Sequence, residues 1–226
     1  MIDFTNYKTE GKSYGGANGS KKSLFINGEL YMLKLPNHNK LNPNLSYMKS
    51  AISEHLASTI FNLIGIEAQE TILGQYTYHD VTRFVITCKD FEYPYYKFHD
   101  FASLRNQIVD SITLGHSTEL RDLMEIFEMQ SLLKNEDIKK YFWDIFIVDA
   151  LLENWDRHNG NWGYLWNQND GSVKLAPVFD NGSSLFPQAD EVMMQNVLKN
   201  KKELNLRIYD LPKSAITIEG KKINYY

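Results

Sequence analysis

The order of short and long apolar patterns along the chain is the feature that most constrains its fold. In about the first 90 of its 226 residues, β-branched and aromatic residues fall in short runs separated by turn residues. The strongest turn signal is Asn27-Gly28, which favours a two-residue β-hairpin loop. The predicted strands are 23–26, 29–35, 71–76 and 81–87, and a helix is predicted at 46–64 between the two strand pairs.

Longer segments with helical spacing dominate after residue 89. The predicted helices are 100–109, 119–133, 137–152 and 191–204. Asn135 is a candidate N-cap of the third helix, and a second hairpin is predicted from the runs 162–166 and 173–176. We therefore expect an α+β fold of two lobes. An antiparallel sheet with one helix would occupy residues 1–90, and a mainly helical lobe would occupy residues 91–226.

Composition excludes several classes of protein. Lys and Arg number 24 and Asp and Glu number 28, so the net charge of −4 lacks the basic footprint of a nucleic-acid binder. Cys88 is the single cysteine, which excludes a disulfide-rich secreted fold. No apolar run approaches the roughly 20 residues that span a bilayer, and the N-terminus lacks an apolar signal region. We expect a cytoplasmic protein that binds neither membrane nor nucleic acid directly.

A polar segment between a predicted helix and a predicted hairpin carries the clearest chemical pattern. In it, four residues separate Asp156 from Asn161, which is the spacing of a protein-kinase catalytic loop. In such a loop the aspartate accepts the proton of the substrate hydroxyl, and the asparagine holds a metal ion. Gly160 allows a tight turn that brings both side chains to one side. By itself the spacing is equally compatible with chance or with a capping turn.

Two further segments add an oxygen ligand and flexible backbone. Asp180 follows a β-run and precedes Gly182, like the metal-binding aspartate of an Asp-Phe-Gly element, although an Asx turn would give the same pattern. Four glycines between residues 11 and 19 would let backbone amides approach phosphates closely. This is not the G-x-x-x-x-G-K-[ST] phosphate loop, because Ala17 stands at the lysine position. A flexible N-terminal loop is the alternative.

An ion pair is predicted from Lys34 and Glu54. Lys34 ends the first hairpin, and Glu54 follows 20 residues later in the predicted helix. A strand lysine paired with a helix glutamate is oriented on the α- and β-phosphates of ATP, whereas either residue alone is compatible with an ordinary surface charge. The Gly-rich loop, the lysine, the glutamate, Asp-x-x-x-x-Asn and Asp-x-Gly occur in the order of a protein kinase. This shared order favours the catalytic interpretation.

Two longer motifs make the comparison specific. Residues 156–162 read Asp-Arg-His-Asn-Gly-Asn-Trp, and residues 175–180 read Leu-Ala-Pro-Val-Phe-Asp. They resemble the Asp-x-His-x-x-Asn-Phe/Trp loop and the Ala-Pro-x-Tyr/Phe-Asp strand end of the HipA-type Ser/Thr kinases. The resemblance runs from about Asp3 to the C-terminus. It implies a bilobal protein-kinase-like fold and a Mg²⁺/ATP-dependent kinase that acts on Ser or Thr of protein substrates and on itself.

The resemblance also implies a role for each matching residue. Asp156 would be the catalytic base, with His158 beside it near the phosphates. Asn161 and Asp180 would bind Mg²⁺, and Lys34 would contact the α- and β-phosphates. The other residues expected at the ATP site, from the loop, the helix and the hinge, are Gly15, Gly16, Ala17, Asn18, Glu54, Thr87, Cys88, Lys89 and Phe91.

Regulation and partners follow only from the resemblance. A serine in the Gly-rich loop of HipA is autophosphorylated and switches that enzyme off, and Ser13 is the nearest match here, with Ser20 and Ser23 as competitors. A protein substrate, an antitoxin or regulatory partner, and delivery into a host cell are further implications. In the relatives an additional helical region continues beyond the equivalent of Tyr226, so we expect a shortened second lobe.

Other functions fit parts of the sequence. A shortened C-terminus would also suit a catalytically weak nucleotide-binding regulator, although no catalytic position has been lost. A metal hydrolase is disfavoured because the six histidines show no H-E-x-x-H or paired spacing. Cys88 is a poor candidate nucleophile because it lies in a β-rich run, where a buried structural thiol is expected.

Overall fold

The structure, a computed structural model, describes residues 1–14, 20–35, 49–103 and 117–226. Its strands are β1 (Ile2–Asp3), β2 (Thr9–Glu10), β3 (Ser20–Ile26), β4 (Glu29–Leu35), β5 (Thr71–Tyr78), β6 (Val81–Lys89), β7 (Tyr96–Asp100), β8 (Gly163–Asn167), β9 (Val173–Leu175), β10 (Lys213–Ile218) and β11 (Lys221–Asn224). Its helices are α1 (Ser50–Leu63), α2 (Leu120–Met129), α3 (Asn135–Leu152), α4 (Glu191–Lys199), α5 (Lys201–Asn205) and a π-helical turn (Leu206–Asp210). None of the helices within these ranges has the length and apolar character needed to cross a membrane.

The first half of the chain forms a six-stranded sheet in the order β1-β5-β6-β4-β3-β2. The β3–β4 hairpin turns at Asn27 and Gly28, whose φ angles are 52° and 84°. These are the left-handed conformations that a two-residue type I′ turn requires. The two turn residues of the β5–β6 hairpin also have left-handed φ angles, 47° at His79 and 59° at Asp80. Both hairpins predicted in this half are present.

The two faces of the sheet have different roles, because alternate residues of a strand point to opposite sides. One face carries a buried apolar cluster of Phe4, Leu24, Ile26, Tyr31, Leu33 and Val85. The other face is covered by α1, whose Ala51 packs with Ile86 and Cys88 of β6. Lys34 is paired with Ile86 in the β4–β6 register and lies on this second face. The sheet therefore has one structural face and one face that carries α1 and Lys34.

The second half is built around α3 and the three-stranded sheet β7-β8-β9. Aromatic rings fill the core between them. Phe101 stacks on Trp162 with ring centroids 4.1 Å apart, and Phe127 of α2 meets the edges of Trp162 and Phe142. Ile145 belongs to the same buried cluster, so the apolar stripe predicted for α3 faces this core.

The structure corrects the predicted N-cap of α3 and the extent of the last predicted helix. α3 begins at Asn135 itself, with Lys134 as the N-cap and no capping bond from a side chain, so the predicted cap is wrong. The single helix predicted at 191–204 is broken at Asn200. Its side chain accepts hydrogen bonds from two backbone amides of α5, which ends α4 and caps a second helix.

The strand β7 in the second half is absent from the sequence prediction. β7 pairs with β8, and the ring of His99 on β7 stacks on Tyr164 of β8 with centroids 5.2 Å apart. The helix predicted at 100–109 follows directly. Residue 100 is the last residue of β7, residues 101–103 are helical, and residues 104–109 of that prediction lie outside the described residues.

Glu119 anchors a C-terminal hairpin of β10 and β11 that the sequence patterns do not indicate. Its carboxylate accepts hydrogen bonds from the Thr217 hydroxyl at 2.8 Å and from the backbone amides of Glu219 at 2.6 Å and Gly220 at 3.1 Å. The hydrogen bonds from Gly220 and Thr217 lower the pKa of Glu119. The end of the chain is thereby attached to the beginning of α2.

The last two tyrosines pack on α3 and the loop that follows it. The Tyr225 hydroxyl donates to the Asn154 carbonyl oxygen over 2.8 Å, and its ring lies 5.4 Å from that of Phe146. The Tyr226 hydroxyl donates to the Ala150 carbonyl oxygen over 3.4 Å. These two aromatic side chains therefore cover part of the second half.

Replacing Glu119 by alanine should release the C-terminal hairpin, because three donors lose their acceptor. We expect faster amide hydrogen exchange in β10 and β11 and a lower Tm. The control is Glu125→Ala, which removes the partner of Arg121 in an exposed i,i+4 pair on α2 and should leave the hairpin's exchange unchanged. Equal protection of the hairpin in Glu119→Ala and in the wild type would contradict this role.

Candidate active site

Lys34 and Glu54 form the ion pair that the sequence predicts. The Nζ atom of Lys34 on β4 lies 2.6 Å from Oε1 of Glu54 on α1, and Glu54 is only 3% exposed. Cys88 donates its thiol to the same Oε1 over 3.7 Å. Burial raises the pKa of Cys88, so the thiol stays protonated. Its position beneath the ion pair is that of a structural thiol.

Asp180 joins this pair from the second half of the chain. Its Oδ1 atom lies 3.0 Å from Nζ of Lys34. Its φ of 57° is in the left-handed region, which non-glycine residues adopt most often at turns and functional sites. The attraction of Lys34 lowers the pKa of Asp180 to about 2, so this carboxylate is ionised at neutral pH. Lys34 therefore bridges α1 and the loop that follows β9.

The loop after α3 holds Asp156 and Asn161 in one tight turn. Nδ2 of Asn161 donates to the Asp156 carbonyl oxygen over 2.9 Å, and Oδ1 of Asn154 accepts from the Asp156 amide over 3.2 Å. The backbone amide of His158 donates to the same Asp156 carbonyl oxygen over 2.9 Å. The side chain of His158 is exposed. Burial raises the pKa of Asp156, and the nearby His158 opposes this effect.

Arg157 joins this loop to the loop after β9. Its guanidinium donates to both carboxylate oxygens of Asp149 on α3, with N–O distances of 2.9 and 3.2 Å. Nη1 donates to the carbonyl oxygens of Asn161 at 3.1 Å and Phe179 at 2.5 Å, and Nη2 donates to Oδ1 of Asn181. Arg157 and Asp149 are both buried. One side chain therefore sets the relative position of two loops.

A cavity of about 210 Å³ opens between the sheet and these loops. It is lined by Tyr14, Lys21, Met32, Lys34, Gln69, Asp90, Phe91, Glu92, Phe98, Phe179 and Asp180. The rings of Phe91, Phe98 and Phe179 lie between 5.1 and 5.6 Å from one another and form an aromatic wall. Lys34 and Asp180 contribute charge to the same cavity. An aromatic wall together with charged groups suits a ligand with a flat ring and an anionic tail.

The N-terminal segment closes one side of the cavity by binding Asp90. Nζ of Lys12 lies 2.5 Å from Oδ2 of Asp90 and 3.1 Å from Oε2 of Glu92. The Tyr14 hydroxyl donates to the same Asp90 oxygen over 2.8 Å. Ser13, between the two anchored residues, has an exposed side chain. The loop residues predicted at the ATP site that lie outside the described part of the chain are Gly15, Gly16, Ala17 and Asn18.

The predicted hinge residues occupy different environments. Phe91 lines the cavity, whereas Thr87, Cys88 and Lys89 are not part of its wall. Thr87 is fully buried on the structural face of the sheet, and Cys88 lies under the ion pair described above. The ammonium of Lys89 is directed outward, to Glu29 at 2.7 Å. Of the predicted hinge segment, therefore, only the part after β6 lines the cavity.

The oxygens of Asn161 and Asp180 suit a magnesium ion. Mg²⁺ prefers oxygen ligands and usually takes one or two protein side chains together with substrate phosphates. Asp180 is ionised, and Asn161 uses its Nδ2 for Asp156, so Oδ1 is the ligand end of its amide. No group of three or more His, Cys, Asp or Glu that could hold a metal occurs among the described residues. The donor set fits a metal that is shared with a bound phosphate.

Several residues that shape the site are missing from the sequence predictions. Asp149 is a carboxylate on the buried side of an amphipathic helix, and this misplaced charge is the signal that could have revealed its partner, Arg157. Gln69 and Asp90 offer no comparable signal, because their partners are distant in sequence and no local pattern marks them. Gln69, for example, donates from Nε2 to the Lys89 carbonyl oxygen over 2.8 Å.

Replacing Arg157 by methionine should lower the free energy of unfolding by about 3–5 kcal/mol, because Asp149 would remain buried without its counter-charge. Urea unfolding followed by circular dichroism measures this change. The control Arg121→Met removes an arginine from an exposed pair and should change stability by less than about 1 kcal/mol. The double variant Asp149→Leu/Arg157→Met should be more stable than Arg157→Met, since neither buried charge of this pair remains. Equal stability of Arg157→Met and Arg121→Met would contradict the buried-pair account.

Comparison with known proteins gives the family. Residues 13–222 match the model of the HipA-like C-terminal domain. Over its whole length the chain is 44% identical to the serine/threonine-protein kinase CtkA of Helicobacter pylori strain J99, and it covers 69% of that protein. Its structure is similar to the crystal structure of a Helicobacter pylori proinflammatory kinase CtkA, with a TM-score of 0.93 and 44% identity. That match covers all of this chain and 76% of the other.

These matches confirm the resemblance drawn from the motifs, the α+β HipA-like fold and the expected enzyme class, a Ser/Thr protein kinase. The domain boundary near residue 90 stays a prediction; β1 to β6 all precede it. The family model covers both the Lys34–Glu54 pair and the Asp156–Asp180 segment. The chain belongs to the HipA-like C-terminal domain family.

Proposed function

We propose that this chain is a Mg²⁺- and ATP-dependent protein kinase that phosphorylates Ser or Thr of protein substrates and of its own chain. The observation that carries the proposal is the contact of Lys34 with both Glu54, at 2.6 Å, and Asp180, at 3.0 Å. In active protein kinases the strand lysine pairs with the helix glutamate while the Asp-Phe-Gly aspartate holds Mg²⁺. Here the three groups meet at the cavity that Lys34 and Asp180 line.

ATP would bind with its adenine on the aromatic wall of the cavity and its phosphates near Lys34. The Asp90 amide already donates to the Leu30 carbonyl oxygen over 2.8 Å. The adenine edge would therefore be read after Asp90, at the backbone of Phe91. The earlier hinge residues, Thr87 to Lys89, would support this segment through the pairing of β6 with β4 and β5.

Asp156 would accept the proton of the substrate hydroxyl. As the proton moves to the carboxylate, the hydroxyl oxygen attacks the γ-phosphorus, and the bond from phosphorus to the β–γ bridging oxygen breaks. ADP leaves with that electron pair. Burial raises the pKa of Asp156, which makes it a better proton acceptor than an exposed aspartate. His158, exposed beside it, would contact a phosphate oxygen.

Asn161 and Asp180 would hold Mg²⁺, which neutralises charge on the phosphate oxygens when it is bound. The separation of these two ligands is controlled by Arg157, because its Nη1 donates to the Asn161 carbonyl and to the Phe179 carbonyl, one residue before Asp180. The same arginine would therefore position both metal ligands before the nucleotide arrives.

Ser13 is the proposed site of autophosphorylation. It is exposed and lies between Lys12 and Tyr14, the two residues that bind Asp90 at the edge of the cavity. Attachment of a phosphate here would add negative charge next to Asp90 and Glu92. The antitoxin or regulatory partner and delivery into a host cell stay predictions.

Replacing Asp156 by asparagine should reduce phosphate transfer from labelled ATP to a generic protein substrate about 10²–10⁴-fold, the usual contribution of a general base. The change is nearly isosteric and should leave Tm close to that of the wild type. Asp144→Asn is the control, because Asp144 lies on α3 and pairs only with Lys140 on the helix surface among the contacts of the described chain. It should retain wild-type activity.

Two results would contradict the kinase proposal. One is no incorporation of label by the wild type, and the other is unchanged incorporation by Asp156→Asn. A rise in Tm on addition of ATP and Mg²⁺ without any turnover would instead identify the alternative function, a nucleotide-binding regulator.

The pH dependence of kcat should report Asp156 and not Asp180. Asp156 must be ionised to accept a proton, and burial raises its pKa above the ordinary value of 3.8. Activity should therefore be complete at neutral pH and fall on acidification, with a midpoint above 3.8. Asp180, whose pKa is about 2, would stay ionised throughout this fall. Constant kcat down to pH ~4, with the fold intact by circular dichroism, would contradict the assignment.

A further inference from the structure

Gln69 lies in the wall of the proposed nucleotide cavity and is bonded to both of its aromatic sides. Its backbone amide donates to the Val178 carbonyl oxygen over 2.8 Å, one residue before Phe179. Its side-chain Nε2 donates to the Lys89 carbonyl oxygen over 2.8 Å, two residues before Phe91. The rings of Phe91 and Phe179 have centroids 5.3 Å apart. A flat base that packs on these rings would therefore have the Gln69 side chain at its edge.

The side-chain amide of Gln69 has one orientation that its surroundings accept. A backbone carbonyl oxygen can only accept a hydrogen bond, so the group that meets the Lys89 carbonyl must be the Nε2 donor. A flipped amide would place two acceptor oxygens against each other. Nε2 is thereby fixed on the backbone. Among the described residues, Oε1 of Gln69 has no hydrogen-bond partner.

This unused acceptor is available to a ligand in the cavity. Gln69 is only 6% exposed, and it lines the cavity, whereas Lys89 does not. The acceptor that the wall offers at this point is therefore Oε1 of Gln69, and not the backbone carbonyl to which Nε2 is bonded. A buried acceptor without a donor is unfavourable. The site should therefore prefer a ligand that brings a donor to this position.

The charged groups of the cavity wall are engaged elsewhere. Asp90 accepts from Lys12 and from the Tyr14 hydroxyl, and Glu92 also accepts from Lys12. The two lysines of the wall are paired across β3 and β4, and one of them contacts Asp180 on the proposed phosphate and metal side. These contacts leave the edge of the base to backbone groups of the hinge and to the amide of Gln69.

We infer that Gln69 determines the base specificity of the site, because its Oε1 accepts a hydrogen bond from the exocyclic amino group of adenine and rejects the carbonyl oxygen that guanine and hypoxanthine carry at the same position. This inference rests on the proposed ATP site and adds the residue that selects the base. A carbonyl at the 6-position would meet the lone pairs of Oε1, and the bond of Nε2 to the backbone prevents relief by a flip. A site built around a hydrogen bond rejects an analogue that cannot form it, since its own polar group stays unpaired.

The test measures the binding of three nucleoside diphosphates with Mg²⁺ by calorimetry. ADP carries the amino group, purine riboside 5′-diphosphate has hydrogen in its place, and IDP has a carbonyl oxygen there. The wild type should bind ADP about tenfold more tightly than either analogue. Gln69→Met keeps the length of the side chain without its acceptor, so it should bind ADP and purine riboside diphosphate within about threefold of each other.

A matched glutamine on the same sheet provides the control. Gln75 donates from Nε2 to Asp3 over 3.1 Å and is not part of this cavity wall. Gln75→Met should therefore keep the wild-type ratio of the affinities for ADP and purine riboside diphosphate.

Replacing Gln69 by lysine should reverse the preference for the group at the 6-position. An ammonium group carries donors and no acceptor, so it can donate both to the Lys89 carbonyl and to a carbonyl oxygen of the base. Gln69→Lys should therefore raise the affinity for IDP relative to ADP about tenfold compared with the wild type.

Three outcomes would overturn the inference. If the wild type binds ADP and purine riboside diphosphate equally well, the amino group makes no contact that selects the base. If Gln69→Met weakens every ligand by the same factor and keeps the wild-type ratio, Gln69 only supports the hinge. Both results leave the proposed function standing. If the wild type binds none of the three diphosphates, the proposed function fails and this inference fails with it.

Discussion

A buried ion pair, Arg157 with Asp149, is the interaction on which the site depends. Either charge alone would be strongly unfavourable in this core, so α3 and the loop after it can pack only with the two groups joined. The remaining N–H groups of the guanidinium also need acceptors, and they find them at the Asn161 and Phe179 carbonyl oxygens. The positions of both proposed metal ligands therefore follow from the need to satisfy one buried charge.

Lys34 has the corresponding role on the side of the sheet. It is held by Glu54, a buried carboxylate on α1, and it reaches Asp180 across the cavity. Asp180 is therefore the point where two networks meet, one built on Arg157 and the other on Lys34. The groups that would do the chemistry, Asp156 and His158, are attached to this frame by hydrogen bonds that the Asp156 carbonyl oxygen accepts from the Asn161 side chain and the His158 amide.

Features that depend on neighbours in sequence could be predicted, and features that depend on distant partners could not. The Asn27-Gly28 hairpin and the Lys34–Glu54 pair follow from local patterns and spacing. The strand β7 and the C-terminal hairpin acquire their structure from partners far along the chain, β8 and Glu119. Sequence alone also does not mark where β6 ends. The predicted hinge therefore begins at Thr87, within β6, whereas the residues of this segment that line the cavity, Asp90 and Phe91, follow the strand.

The motifs were more informative than the composition, because they combine several residues in a fixed order. Asp156, Asn161 and Asp180 are common loop residues with several structural explanations, and each explanation is plausible for one residue alone. Their order, joined to Lys34 and Glu54, favours the arrangement of a protein kinase. The roles of these residues nevertheless require contacts across the cavity, which sequence spacing does not describe.

A crystal structure with Mg²⁺ and a non-hydrolysable ATP analogue tests the central claim most directly. The account predicts the adenine on the wall formed by Phe91 and Phe179, the phosphates at Lys34, and a metal ion coordinated by Oδ1 of Asn161 and a carboxylate oxygen of Asp180. A nucleotide bound elsewhere, or a metal ion held without Asn161 and Asp180, would contradict it.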